Sequence, residues 1–366
     1  MLTQISIKGF TSICDSTIEL RSLNVMIGAN GAGKSNLIAF FRMMNEMMAE
    51  RLQQYIGMSG RAQTLLHFGP KTTPQMEAEL QFTVENGVDS YFMRLFHAAG
   101  DTLVFAEESL SFLETGRPLR TESLGSGHQE TRIMKAAEEG NPMAKVFRHL
   151  LNRCRVYHFH DTSSTTRARQ YCHVADNRFL MHDAGNIAAV LFRLQNEDDG
   201  KMYRRIVQHI KLLAPYFDDF DLEPTGPNGR DIILNWREKG SDQVFGPHQL
   251  SDGTLRAMCL ITLLLQPVEL QPDLIVVDEP ELGLHPYALN VLAALFKQAA
   301  HKRQILISTQ SSTLLDNFIS DDVIVVTKQQ NGSVFTRLEP ERLADWLEEY
   351  SLGEIWEKNI IEGGPL

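Results

Sequence analysis

Residues 28–35 read GANGAGKS, a complete GxxxxGK[ST] match, which ordinary residue usage would place by accident in about one chain of this length in a hundred. Gly28, Gly31 and Gly33 let backbone N–H groups curl around phosphate oxygens where a Cβ would clash. Lys34 supplies a point charge for the β- and γ-phosphates, and Ser35 offers its hydroxyl to Mg²⁺. The candidate ATP-binding set is therefore Gly28, Ala29, Asn30, Gly31, Ala32, Gly33, Lys34, Ser35 and Asn36, with Lys34 also placed to act on the reacting phosphates.

A second constellation, LIVVDEPE at 274–281, is four apolar residues running into two adjacent carboxylates. Acids at the carboxyl end of a buried strand lie in the crevice where α/β sheets bind ligands, and burying them without a cation would be costly. Asp278 is expected to partner Mg²⁺, directly or through its water, and Glu279 to polarise an attacking water. Pro280 then ends the strand.

These groups need strands and helices to aim them. The opening alternates apolar and polar residues at Leu2, Ile5 and Ile7, then at Ile18 and Leu20, before an apolar run at 23–27 meets the glycines. Leu37, Phe40, Phe41, Met44 and Met48 recur at helical spacing directly after the loop, so strand, glycine loop and helix follow in order. Three stretches within 76–113, separated by Asn86-Gly87 and Gly100-Asp101, predict an antiparallel meander. The Gly-, Ser- and Thr-rich stretch 115–130 predicts a surface loop, with helices resuming at 131–153 and at about 183–213. From near Leu250, strands at 274–277, 305–308 and 323–326 alternate with helical segments, the pattern of a parallel sheet covered by helices.

Bulk properties narrow the partners. The chain has 366 residues, 43% of them hydrophobic and 22% charged, with a formal net charge of −11. That balance argues against a protein that tracks nucleic-acid backbone over its whole surface, because phosphate neutralisation needs concentrated Lys and Arg. Two local clusters could still form a basic patch, Arg153, Arg155, Arg167 and Arg169 in one and Arg204, Arg205 and Lys211 in the other, but each reads first as a solvated helix face. Four cysteines without a CxxC pair suit a reduced, cytoplasmic compartment, and the longest apolar run, 258–265, is too short to span a bilayer. Cys154, His158, His160, Cys172 and His173 crowd together, but their spacing matches no familiar zinc pattern and an ordinary packed strand explains it.

With both motifs in order, the chain resembles the ABC-type ATPases of the RecF/SMC/OLD group, in particular the compact AAA-type ABC proteins. The resemblance implies an α/β P-loop NTPase of ABC type, with a mixed central sheet, an antiparallel β subdomain and an inserted helical subdomain. It divides the chain into residues 1–114 and 249–366 of the ATPase core and an insertion at 115–248. The family's signature loop corresponds to LSDGTLR at 250–256, where Ser251 and Gly253 would reach the γ-phosphate of the ATP held by a second subunit. Ser251 is equally suited to cap the helix that follows. ELGLHP at 281–286 corresponds to the loop lining the dimer interface, and ILISTQS at 305–311 to the switch strand, with Gln310 where many relatives have histidine. Glutamine carries no transferable proton, so Gln310 acts here only through amide hydrogen bonds.

Three departures from the family pattern bear on hydrolysis. The signature reads SDGT rather than SGGQ, Thr11 stands where a basic residue often contacts nucleotide, and no glutamine loop is recognisable. Asp161, after an apolar stretch at 156–159, occupies about the place of that loop and is the remaining Mg²⁺ candidate. The resemblance thus implies ATP and Mg²⁺ as cofactors, a homodimer joined through the ATP sites, a protein effector or DNA as further partner, and no membrane. Neither a Toprim-like nuclease region nor a coiled-coil arm is visible, so the ATPase module stands alone in this reading.

Overall fold

The opening alternation folds into an antiparallel pair, Leu2–Phe10 against Ile13–Glu19, with Ile5, Ile7 and Ile18 buried. The computed structural model describes residues 1–361, 363 and 364. The chain divides into two units, Met1–Val156 with Phe318–Leu366, and Tyr157–Asn317.

In the first unit the opening pair extends into a six-stranded antiparallel sheet through Gln75–Val84, Gly87–Ala98, Thr102–Glu114 and Arg120–Gly125. The predicted meander is therefore present, and its alternating burial leaves one face to pack. Helix Lys34–Met48 supplies apolar cover: the Phe40 ring meets Phe10 edge-on at 5.8 Å, and Tyr91 Oη lies 3.6 Å from Met47 Sδ. Residues 120–125, expected to lie in a surface loop, form the sixth strand instead. Composition misled there because pairing with the strand Thr102–Glu114 satisfies the backbone of TESLG whatever its side-chain preference. Strand Leu23–Ile27 is buried along its whole length and pairs in parallel with Val323–Gln329, which pairs in antiparallel fashion with Gly332–Arg337.

In the second unit, strands Leu274–Asp278 and Gln304–Thr309 run parallel, with Asp278 opposite Ser308 at the end of the pair. Both are buried throughout, as a sheet covered on both faces requires. Helices Ile187–Asn196, Lys201–Leu213, Asp252–Leu265 and Pro286–Ala300 belong to this unit. A three-stranded sheet, Phe217–Asp221, Asn235–Glu238 and Val244–Phe245, is held by an aromatic cluster in which Trp236 stacks on Phe245 at 4.9 Å. Among the described residues no helix is long and apolar enough to cross a membrane.

Candidate functional site

The glycine loop of the first unit needs its glycines. A Cβ at position 28 would sit 2.2 Å from the Val326 carbonyl oxygen, and one at 33 would sit 2.0 Å from Ser333 Oγ, where φ is also +119°. Gly31 has φ +77°, a left-handed conformation that side chains resist. Ser12, Ser333 and Asn36 staple the loop. Ser333 Oγ donates to the Ala32 carbonyl at 2.6 Å and lies 2.6 Å from Ser12 Oγ, to which Asn36 Nδ2 donates at 2.5 Å. Lys34 is buried, with Nζ donating to the Gly28 carbonyl at 2.5 Å and the Ala29 carbonyl at 3.2 Å. Helix Lys34–Met48 starts with no side-chain cap, so its first turn presents backbone N–H groups and a positive dipole end, the fit that a phosphate requires. Ala29 is half-buried and Asn30 and Ser35 are exposed.

In the second unit, Asp278 is buried at the strand end, and its backbone carbonyl accepts from His160 Nε2 at 2.9 Å, which fixes the proton of that imidazole on Nε2. Glu279 follows in a left-handed backbone conformation, φ +42°, held by its N–H donating to the Ser308 carbonyl at 2.8 Å. A non-glycine residue in this region stores strain, and such strain gathers at working sites. Gln310 Nε2 donates to Glu279 Oε1 at 2.7 Å. The amide therefore engages a carboxylate that must accept, and its own carbonyl oxygen is left facing away from that bond. Burial pushes the neighbouring Glu281 carboxyl above the ordinary carboxylate range, against the pull of hydrogen bonds from Gln310 N and Thr309 Oγ1.

Ser251 caps helix Asp252–Leu265: its Oγ accepts from Thr254 N at 3.2 Å and lies 2.8 Å from Thr254 Oγ1. Gly253 packs backbone to backbone against the loop after Glu279, since a Cβ there would meet the Gly283 carbonyl at 2.4 Å. Arg256 ties three segments together, donating to the carbonyls of Phe159 at 3.1 Å, His160 at 2.8 Å and Leu282 at 3.0 Å. Asp161 is exposed and accepts from Ser163 N at 3.0 Å, a local turn whose hydrogen bonds lower its pKa.

The second unit thus brings together Asp278, Glu279 and Gln310 in one neighbourhood, and Ser251 and Gly253 in another. Sequence reasoning missed Ser333, His160, Arg169, Arg256 and Glu281. Glu281 stood inside a motif already singled out, and Arg169 inside the basic cluster read as a solvated face. Arg169 is in fact buried, and its guanidinium donates to backbone carbonyls. Ser333 carries no sequence signal, and His160 was weighed only as a metal ligand, because each acts through a contact distant along the chain.

The family described as "AAA domain, putative AbiEii toxin, Type IV TA system" matches residues 155–316. The chain is 30% identical over 109 residues to the energy-coupling factor transporter ATP-binding protein EcfA2 of Staphylococcus aureus strain bovine RF122 / ET3-1, over 27% of this chain. It is 29% identical to the same protein from strain USA300. The chain covers 35% of the length of these curated relatives. Among solved structures, an SMC head bound to the C-winged helix domain of ScpA superposes with a TM-score of 0.62 at 15% identity, covering 94% of this chain and 99% of that one. The SMC head with extended coiled coil from Pyrococcus furiosus, bound to the C-terminal domain of ScpA, gives 0.59 at 14% identity, covering 95% and 98%. At these identities the superpositions speak for the fold alone, which is that of SMC head domains.

Proposed function

We propose that the chain is a compact ABC-type ATPase that works as a nucleotide-sandwich homodimer in the cytoplasm and drives or gates a partner in DNA-related work, antiphage defence before DNA repair. In this reading the triphosphate lies in the loop of residues 28–36, with Lys34 at the β- and γ-phosphates. Ser35 and Asp278 would hold Mg²⁺, with Asp161 as a further candidate; when bound, the ion neutralises charge on the phosphates. Glu279 accepts the proton of the attacking water, and Ser251 and Gly253 of a second subunit complete the site. The inserted region at 115–248 then offers surface to an effector protein or to DNA. Defence is favoured because the family matched over 155–316 is described by a toxin of a type IV system. The matching SMC heads have a ScpA domain bound, which supports a protein partner as output.

The observation that carries this reading is the 2.7 Å bond from Gln310 Nε2 to Glu279 Oε1 beside the buried Asp278. With one carboxylate oxygen so engaged, Glu279 Oε2 and Gln310 Oε1 can each accept a hydrogen bond from one water, turning its lone pair outward, and Glu279 alone takes its proton. Phosphate release from the purified chain with Mg·ATP, with and without DNA, tests it. Lys34→Ala should abolish nucleotide binding, and Glu279→Gln should retain ATP and accumulate dimer on size exclusion. Unchanged turnover in Glu279→Gln would remove the assigned role of that residue.

A second reading is a scaffold that holds ATP, hydrolyses it weakly and gates a separate nuclease or toxin. It is favoured by one specific feature, the absence of a transferable proton at Gln310. Tight ATP retention with negligible phosphate release, in the presence and absence of DNA, would select it.

A further inference from the structure

The strand pair Leu274–Asp278 and Gln304–Thr309 ends where Asp278 faces Ser308. Beyond that rung the main-chain N–H of Gln310 needs an acceptor, and the neighbouring strand has already turned away, with Leu282 N donating to the Glu279 carbonyl. The acceptor is a side chain. Glu281 Oε1 takes the Gln310 N–H at 2.8 Å and the Thr309 hydroxyl at 2.7 Å. Thr309 Oγ1 in turn accepts from Ser311 N at 3.0 Å, and Ser311 Oγ caps the next helical turn by accepting from Leu314 N at 3.1 Å. One carboxylate therefore fixes the whole turn from 309 to 311.

We infer that Glu281 is a positioning residue for hydrolysis: by gripping the Gln310 main chain and the Thr309 hydroxyl, it holds the Gln310 carboxamide on Glu279. The geometry accounts for an acid in a largely buried position, where its second oxygen, Oε2, has no hydrogen-bond partner among the described residues. A residue needed only to fill space there would be apolar, since burying a carboxyl with one oxygen unpaired is costly. What the carboxyl gives in return is a rigid link from one side of the strand end to the other. Glutamine can reach Glu279 through several rotamers, and only a fixed main chain selects the one seen. In this arrangement Glu281 makes the neutral amide of Gln310 act from a defined place.

This inference rests on the hydrolytic reading above, and a double-mutant cycle on the full chain separates the two. Glu281→Ala should lower kcat for ATP by roughly ten- to a hundredfold, the scale of a misplaced catalytic group, with KM and nucleotide binding within about twofold of the parent. Glu281→Gln keeps an acceptor oxygen for both donors and should restore most of kcat. Combined with Gln310→Ala, Glu281→Ala should cost little more than Gln310→Ala alone, since it acts through that side chain. A full additional penalty on the Gln310→Ala background, or joint loss of nucleotide binding, melting temperature and turnover, would overturn the inference and leave Glu281 a stability residue. A parent chain that binds ATP and releases no phosphate under any condition would instead overturn the hydrolytic reading, before any variant is compared.

Discussion

The guanidinium of Arg169 lies 2.9 Å from the Asp252 carboxylate, joining a buried cation to the second residue of the SDGT loop at 251–254. The same guanidinium donates to the carbonyls of Thr162 at 3.0 Å, Leu250 at 3.1 Å and Pro247. Asp252 also stands in the first turn of helix Asp252–Leu265, where a negative charge is favoured by the dipole. The acid at 252 thus has its own buried partner.

Arg169→Met should therefore destabilise the chain by about 3 kcal/mol, because it orphans backbone carbonyls that cost on the order of 1–3 kcal/mol each when water cannot replace the donor. Asp252→Asn should cost under about 1 kcal/mol, since Asp252 is 63% exposed and its pairing is screened. Urea unfolding of both variants checks the ordering. An Arg169→Met chain as stable as the parent would mean that the clamp holds nothing.

Gly253 and Gly283 bring the start of helix Asp252–Leu265 and the loop after Glu279 into backbone contact. A methyl at 253 would have to displace the Gly283 carbonyl, which lies 2.4 Å from the ideal Cβ. Gly253→Ala should lower ATP turnover at least about tenfold while leaving nucleotide binding by residues 28–36 largely intact, because in the proposed reading that loop holds the triphosphate and Gly253 reaches it only from a second subunit. Binding of a fluorescent ATP analogue, measured beside phosphate release, separates the two effects. Equal losses in both measurements would show that the change spreads beyond the two loops.

The outcome of the sequence reading follows from what each signal depends on. Strand Leu23–Ile27 and helix Lys34–Met48 were legible because local periodicity and the glycines fix them. The meander was legible from its turns, whereas strand Arg120–Gly125 was hidden because its backbone is satisfied by a neighbour that sequence order alone does not reveal. Asp278 and Glu279 could be read at a strand end, since apolar run and acids are adjacent. The environment of Gln310 could not: its partner Glu279 lies 31 positions away, and the grip of Glu281 on its main chain needs the turn at 279–282. Arg169 was misread for the same reason, because a buried guanidinium has the same sequence appearance as a solvated one.

Glu108 anchors the antiparallel sheet of the first unit. Fully buried, it accepts from Tyr91 Oη at 2.9 Å, Thr131 Oγ1 at 2.5 Å, His128 Nε2 at 2.9 Å and Arg132 N at 3.0 Å. Glu108→Gln would turn an NH₂ group towards some of these donors and should cost about 2–3 kcal/mol. Glu108→Ala should cost more, since it leaves Tyr91 and His128 without that acceptor. In urea the midpoint should fall with little change in slope, the sign of lost stability rather than altered compactness. A midpoint within error of the parent for Glu108→Ala would show that water satisfies the network.

Thiol chemistry gives a test that needs no nucleotide. Cys14 is exposed, whereas Cys259 is buried in helix Asp252–Leu265 and its thiol is pushed up to about 12, chiefly by burial. The reactive species is the thiolate, so Cys259 should stay unlabelled at pH 8 while Cys14 reacts at the rate of an open thiol. The pH dependence has a definite sign. A thiol whose pKa is raised on folding contributes stability that is fully present below its unfolded value, near pH 8.5, and that is lost as pH rises towards 12. Cys259→Ala should accordingly flatten part of the alkaline fall in stability above about pH 9, read from urea midpoints across that range. Mass spectrometry after brief alkylation identifies which cysteine has reacted. Fast labelling of Cys259 in the folded chain at pH 8 would mean that helix Asp252–Leu265, and with it the cap at Ser251, opens far more readily than its burial implies.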